Sequence, residues 1–144
     1  MPTTQDLVAK ATITVNAPRA KVWKALVSPA AIKQYMFGAD VRTDWKEGSP
    51  ITWSGEWKGK QFQDKGKLLQ VKPDRILQYT HFSPLAGQPD TPENYHTVTV
   101  ELAEVAGKTQ VTLTQDNNST EAARKESEKN WKMMLAGLKK FAEG

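Results

Sequence analysis

The sequence predicts an α+β fold: a curved antiparallel sheet of six to seven strands wrapped around a long C-terminal helix, with two short helices after the first strand. Three observations lead there. Over residues 119–141, Trp131, Met134, Leu135, Leu138 and Phe141 recur at spacings of three and four, which gathers them on one stripe of a helix. Upstream the same stripe runs through Ser127 and Ala123, so one end is greasy and the other small or polar. Before that helix the chain alternates apolar and polar residues in short runs, the signature of strands with one buried face. Between the runs stand Glu47-Gly48, Lys58-Gly59-Lys60, Lys72-Pro73-Asp74 and Ala106-Gly107-Lys108. These are turn residues, so successive strands connect as hairpins and the sheet is antiparallel.

Taken in order, residues 1–10 are mostly polar and read as a frayed lead-in. Residues 11–16 alternate, with Ile13 and Val15 on one face and Thr12 and Thr14 on the other. Pro18 suits a first helical turn, and Val22, Trp23, Ala25 and Leu26 make a short amphipathic helix. Ser28-Pro29 interrupts it, because the residue before proline avoids helical geometry. Ser28 can cap a second short helix carrying Ile32, Tyr35 and Met36, with Gly38 as its stop. Strands follow over 41–45, 51–57, 61–71 and 75–82. In the second, Ile51, Trp53 and Gly55 share a face opposite Thr52, Ser54 and Glu56. In the third, adjacent Leu68 and Leu69 break the alternation; a bulge near Gly66 accounts for it and leaves that strand's inward parity open. Residues 83–94, with Pro84, Pro89 and Pro92, read either as a proline-stiffened connection or as a lid. Val98, Val100 and Leu102 face inward over 95–104, and Val111 and Leu113 over 109–115. Ser119 or Thr120 caps the last helix, with Glu121 in its first turn.

A chain of 144 residues is most simply one domain over 1–144, burying roughly 68–70% of its extended surface. With no cysteine it has neither disulfide nor thiol nucleophile. No secretory leader pattern and no apolar run of about 20 residues is present, so a soluble, cytoplasmic protein is expected. The net charge of +4 is spread along the chain: in the last helix Arg124, Lys125, Lys129 and Lys132 interleave with Glu121, Glu126 and Glu128. Nucleic-acid binders gather positive charge on one face, so no nucleic-acid partner is expected.

Five stretches then carry a resemblance: ITVNAPRAKVWKAL (13–26), SPAAIKQYM (28–36), GKLLQVKPDRILQYT (66–80), TVTVEL with KTQVTLTQ (within 97–115) and NWKMMLAGLKKF (130–141). The chain resembles the START-like, helix-grip superfamily, often called SRPBCC, in the branch similar to activators of the heat-shock chaperone ATPase. That resemblance implies a hydrophobic cavity between sheet and C-terminal helix, used across the superfamily for lipids, hormones, polyketides and other apolar ligands. Some members are cyclases or hydrolases, and others are chaperone partners. Members of this branch frequently carry Trp where Tyr35 stands and Gly where Asn130 stands; here Tyr35 adds a hydroxyl near the expected pocket.

The candidate site residues follow from both readings. His81 and His96 are the only histidines, expected as solvated strand-end residues that can flank a pocket mouth. No His/Asp/Glu cluster has metal-ligand spacing, and no phosphate loop or nucleophile elbow occurs, so no metal, cofactor or catalytic residue is assigned. Glu56 and Asp64 lie on neighbouring strands and are both expected as surface charge. Trp23 is expected in the core. Tyr35, Trp53 and Tyr79 are expected to line the pocket, together with His81, Trp131, Met134 and Leu135, as the ligand-binding set. The function expected first is binding of an apolar small molecule or lipid-like ligand, with Leu135→Trp filling the pocket. The alternatives are a protein-interaction domain regulating a chaperone ATPase or similar partner, and a cavity-based cyclase or hydrolase built on a polar dyad.

Overall fold

The computed structural model describes residues 7–36, 38–57, 59–84 and 87–144, without the Trp57 side chain. The elements are β1 (Ala9–Val15), α1 (Arg19–Leu26), α2 (Pro29–Tyr35), β2 (Asp40–Arg42), β3 (Pro50–Trp57), β4 (Lys60–Lys72), β5 (Ile76–His81), β6 (His96–Val105), β7 (Lys108–Gln115) and α3 (Glu121–Glu143). Among the described residues seven strands form one antiparallel sheet, ordered β1-β7-β6-β5-β4-β3-β2. The first six residues of the expected lead-in lie outside the described residues; β1 begins two residues before the expected strand.

Local chemistry sets the boundaries. Ser28 caps α2, its hydroxyl accepting from the Ala31 amide at 3.3 Å, and Thr120 caps α3 through the Ala123 amide at 3.0 Å. Gly38 takes φ +85° and its amide returns to the Lys33 carbonyl at 2.8 Å, which closes the end of α2. Ala106 and Gly107 both sit at positive φ, 53° and 81°, between paired Val105 and Lys108, the geometry of a type I′ hairpin.

The bulge in β4 lies at Leu69, not at Gly66: pairing with β5 shifts between Leu68 and Gln70. The shift resolves the parity left open by the sequence. Phe62, Asp64, Gly66 and Leu68 face the concave side; beyond the bulge Leu69 turns to solvent and Val71 packs on the core. Gly66 has a different purpose. A Cβ built there would stand 1.7 Å from the Thr80 carbonyl oxygen, so only glycine lets β4 press this closely on β5.

Across the concave face α3 lays Met134, Leu135, Leu138 and Ala142, all buried. Phe141, expected on that stripe, is 39% exposed, because a step of four from Leu138 reaches Ala142 instead. Trp23 is in the core as expected. Near its middle α3 meets α2 so closely that a Cβ on Gly137 would stand 3.0 Å from the Tyr35 Cβ. The helix also closes the free edge of β1. Glu128 accepts from the Lys10 amide (3.1 Å), Glu143 from the Asn16 amide (2.7 Å), and Lys139 Nζ donates to the Thr14 carbonyl (3.0 Å).

Candidate functional site

Between the sheet and the N-terminal half of α3 the packing is incomplete, and a cavity of about 500 Å³ remains. Strands β3, β4 and β5 supply its floor: Trp53, Phe62, Asp64, Tyr79 and His81. Helix α3 supplies the roof with Ser127, Asn130, Trp131 and Met134, while Met36, Ala39, Ser83 and Gln115 complete the walls.

Register explains which side chains arrive there. Trp57 pairs with Lys60 across a two-residue connection, so Trp53 pairs with Asp64 directly opposite. Directly opposed residues share a face, and Trp53 is 4% exposed on the concave side. Asp64 therefore points inward, not into solvent as expected. Glu56, opposite Gln61, is exposed as expected. On β5 the alternation brings Tyr79 and His81 to the same face.

The inward carboxylate meets His81: Nε2 and Asp64 Oδ2 are 2.9 Å apart, with the two side chains 28% and 17% exposed. His81 is thus a half-buried partner of a carboxylate rather than a solvated strand end. An ionised carboxylate only accepts, so Nε2 carries the hydrogen, and in the neutral ring Nδ1 is left as an acceptor. The second carboxylate oxygen, Oδ1, is buried and has no hydrogen-bond partner among the described residues. Trp53 packs against both neighbours, its ring centroid 5.1 Å from that of Tyr79 and 5.2 Å, edge-on, from that of His81. Burial pushes the Tyr79 phenol well above its usual value, so it stays a neutral ring at physiological pH.

Above the floor, Trp131 Nε1 donates to Gln115 Oε1, which fixes the indole across the roof. Ser127 Oγ donates to Asn118 Oδ1 at 2.9 Å, and Asn118, itself 2% exposed, donates to the Leu7 and Gln115 carbonyls. The structure brings five of the expected residues together here: Trp53, Tyr79, His81, Trp131 and Met134. Two stand apart. Tyr35 is buried with its hydroxyl spent on the Ala25 carbonyl (3.0 Å), beside a crevice of about 20 Å³. Burial, then the nearby Tyr79, push its phenol up as well. Leu135 is 1% exposed within the core and does not line the cavity. Asp64, Phe62 and Gln115 are among the lining residues that sequence reasoning missed; the two-residue spacing between Trp57 and Lys60 held the signal for the first.

His96 pairs with His81 across β5 and β6, but its Nδ1 donates to the Asp116 carbonyl at 2.9 Å and it does not line this cavity. The segment after β5 is held on the outer face. Phe82 is 3% exposed there beneath stacked Tyr95, Tyr95 donates to Asp90 at 2.6 Å, and Lys65 pairs with the same carboxylate. Of its described residues only Ser83 reaches the cavity, and Leu85 and Ala86 lie outside the described residues. Among the described residues no group of three or more His, Cys, Asp or Glu side chains is placed to hold a metal, and no helix is long and apolar enough to cross a membrane.

The model of one protein family, described as Activator of Hsp90 ATPase homolog 1-like protein, matches residues 16–143. No curated protein matches the chain significantly. Among solved structures, that of ChR145 from Cytophaga hutchinsonii is 58% identical over 94% of this chain and 93% of its own, with a TM-score of 0.83. CV1439 from Chromobacterium violaceum is 18% identical (95% and 97% covered, TM-score 0.78). The Aha1 dimer from Colwellia psychrerythraea is 20% identical (94% and 96%, TM-score 0.73). The last two likenesses show the fold alone. A match over this much of the chain, on a curved antiparallel sheet gripping one long helix, shows that the protein belongs to the Activator of Hsp90 ATPase homolog 1-like family, within the START-like helix-grip superfamily.

Proposed function

We propose that this protein binds an apolar small molecule in the cavity between β3–β5 and α3, in the cytoplasm. One observation carries the reading: a space of about 500 Å³ floored by Trp53, Phe62 and Tyr79 and roofed by Trp131 and Met134. Small-ligand sites commonly fall between roughly 300 and 1,000 Å³, mostly apolar with a few polar groups. Trp53, Tyr79, His81, Trp131 and Met134 touch the ligand, while Tyr35 and Leu135 support them from the core. Burial of apolar surface, at about 25 cal/mol per Å², drives entry. Native mass spectrometry of freshly purified protein, followed by titration with the neutral dye N-phenyl-naphthylamine, tests it. Dye fluorescence should rise with the parent and fail to rise with Asn130→Trp, which places a ring in the roof. Equal enhancement by both proteins, or none by either, refutes the reading.

The family supports a second reading, a domain that regulates a chaperone ATPase or similar partner by docking on it. A stoichiometric partner recovered with the cavity empty favours that one. The cyclase or hydrolase alternative gains the polar dyad it lacked, because Asp64 and His81 stand paired in the cavity.

A further inference from the structure

Asp64 holds a buried carboxylate oxygen for which the described residues supply no donor. One oxygen is committed to His81 at 2.9 Å, which prevents the group from turning to satisfy the other. A buried, unpaired acceptor on a charged group is costly, and native structures rarely keep one without a use. This oxygen belongs to a side chain that lines the cavity. Apart from its partner His81, the charges around it are one-sided. The chain has 20 lysines and arginines, yet among the described residues none lines the cavity. Lys65, whose neighbours on β4 include Asp64, faces the opposite side and is held by Asp90. The cavity is therefore acidic inside a basic protein, with indole and phenyl rings for walls.

We infer that the ligand of this cavity carries a hydrogen-bond donor and no negative charge: a ring-containing apolar molecule with an amine or hydroxyl that donates to Asp64 Oδ1. The inference rests on the binding reading above and narrows it. Carboxylic acids, fatty acids included, are refused, because their charge would meet the Asp64 carboxylate, whose Oδ1 has no donor among the described residues. A protonated amine is preferred over a hydroxyl, since it also gains from the faces of Trp53, Phe62 and Trp131.

Three probes sharing one ring system, naphthylmethylamine, naphthylmethanol and naphthoate, separate the possibilities at neutral pH. Binding is read by quenching of tryptophan fluorescence and by shifts of the His81 ring resonances. With the parent protein the amine should bind about tenfold or more tighter than naphthoate, with the alcohol between, as a charge-assisted hydrogen bond implies. In Asp64→Asn, shown folded by circular dichroism, the amine should weaken by about tenfold and the spread collapse to within about threefold. The parent series stands without the variant if the variant does not fold. Naphthoate binding as tightly as the amine, or an unchanged order in Asp64→Asn, overturns the inference while leaving a ligand-binding cavity. Failure of all three probes, with no effect of Asn130→Trp on the neutral dye, overturns the binding reading as well.

Discussion

Replacing Gly66 with alanine tests the frame that holds the site. The added Cβ would stand 1.7 Å from the Thr80 carbonyl oxygen and 2.6 Å from its carbon. Even a close carbon–oxygen contact keeps about 3.3 Å, so the two backbones would have to part by roughly 1.5 Å. They are clamped on both sides of the contact. Lys65 and Phe82 exchange two backbone hydrogen bonds, at 3.0 and 2.7 Å, and the Lys67 amide donates to Thr80 Oγ1 at 2.9 Å. Overpacking costs typically 1–3 kcal/mol, and a backbone obstacle belongs at the top of that range, about 3 kcal/mol. That is a loss of about 6–12 °C in melting temperature for a domain of this size. Gly55→Ala is the matched control. Its Cβ would meet only the tip of the Phe62 ring, at 2.9 Å, and a ring can swing aside; a cost below about 1 kcal/mol is expected. Urea unfolding of parent and both variants measures the difference. Gly66→Ala within about 1 kcal/mol of the parent, or as mild as Gly55→Ala, would refute the close approach of β4 to β5. Thr80 immediately precedes His81 and Asp64 lies two residues before Gly66, so the same substitution should also disturb the His81 ring resonances.

Two further predictions concern the core beside the cavity. Leu135→Trp, placed by periodicity alone as a pocket-filling change, should instead destabilise by about 1–3 kcal/mol, because Leu135 is 1% exposed among core side chains; thermal unfolding beside Asn130→Trp, which should leave stability nearly unchanged, decides it. The tyrosines make the fold sensitive to alkali. Burial raises Tyr35 and Tyr79, and the bond to Asp90 raises Tyr95. An unfolded tyrosine ionises near about 10, so the folded state holds protons that the unfolded one releases. This stability is therefore complete below pH ~10 and is lost as pH rises beyond it. Tyrosinate absorbance and loss of near-ultraviolet circular dichroism should appear together; ionisation of the buried rings in a protein still folded would contradict the burial.

Order and type of the elements were legible because each is written in local chemistry: a Ser-Pro corner, alternating runs, glycine-bearing turns and one long stripe. The stripe's last step was misread, since three and four residues are both one turn and only packing selects Ala142 over Phe141. The bulge was placed near the wrong residue for a related reason. Glycine is used both where a chain bulges and where another backbone presses close, and Gly66 serves the second purpose. Asp64 was missed through a habit of composition, in which aspartate between polar neighbours is read as surface. Counting outward from the turn between Trp57 and Lys60 would have placed it opposite Trp53. What no local signal announces is its pairing with His81, because that contact joins β4 to β5 on either side of the Gly66 approach.

The position of the cavity follows from the composition of α3. Toward its C-terminus the helix offers Met134, Leu135, Leu138 and Ala142, and these fill the space over β1, α1 and α2. One, two and three turns earlier the helix offers Asn130, Ser127 and Ala123 beside the single large ring of Trp131, and short side chains there leave space above the floor. A sheet that curves away at that end and a helix that thins there leave a gap that neither closes. The residues beneath it are those whose burial needs a partner: an indole, a phenol and a carboxylate with one oxygen unanswered. A helix selected only for stability would extend its apolar stripe over them. Keeping small and polar residues above a charged, ring-lined floor costs core packing, and that cost makes sense for a protein in which a bound molecule completes the core.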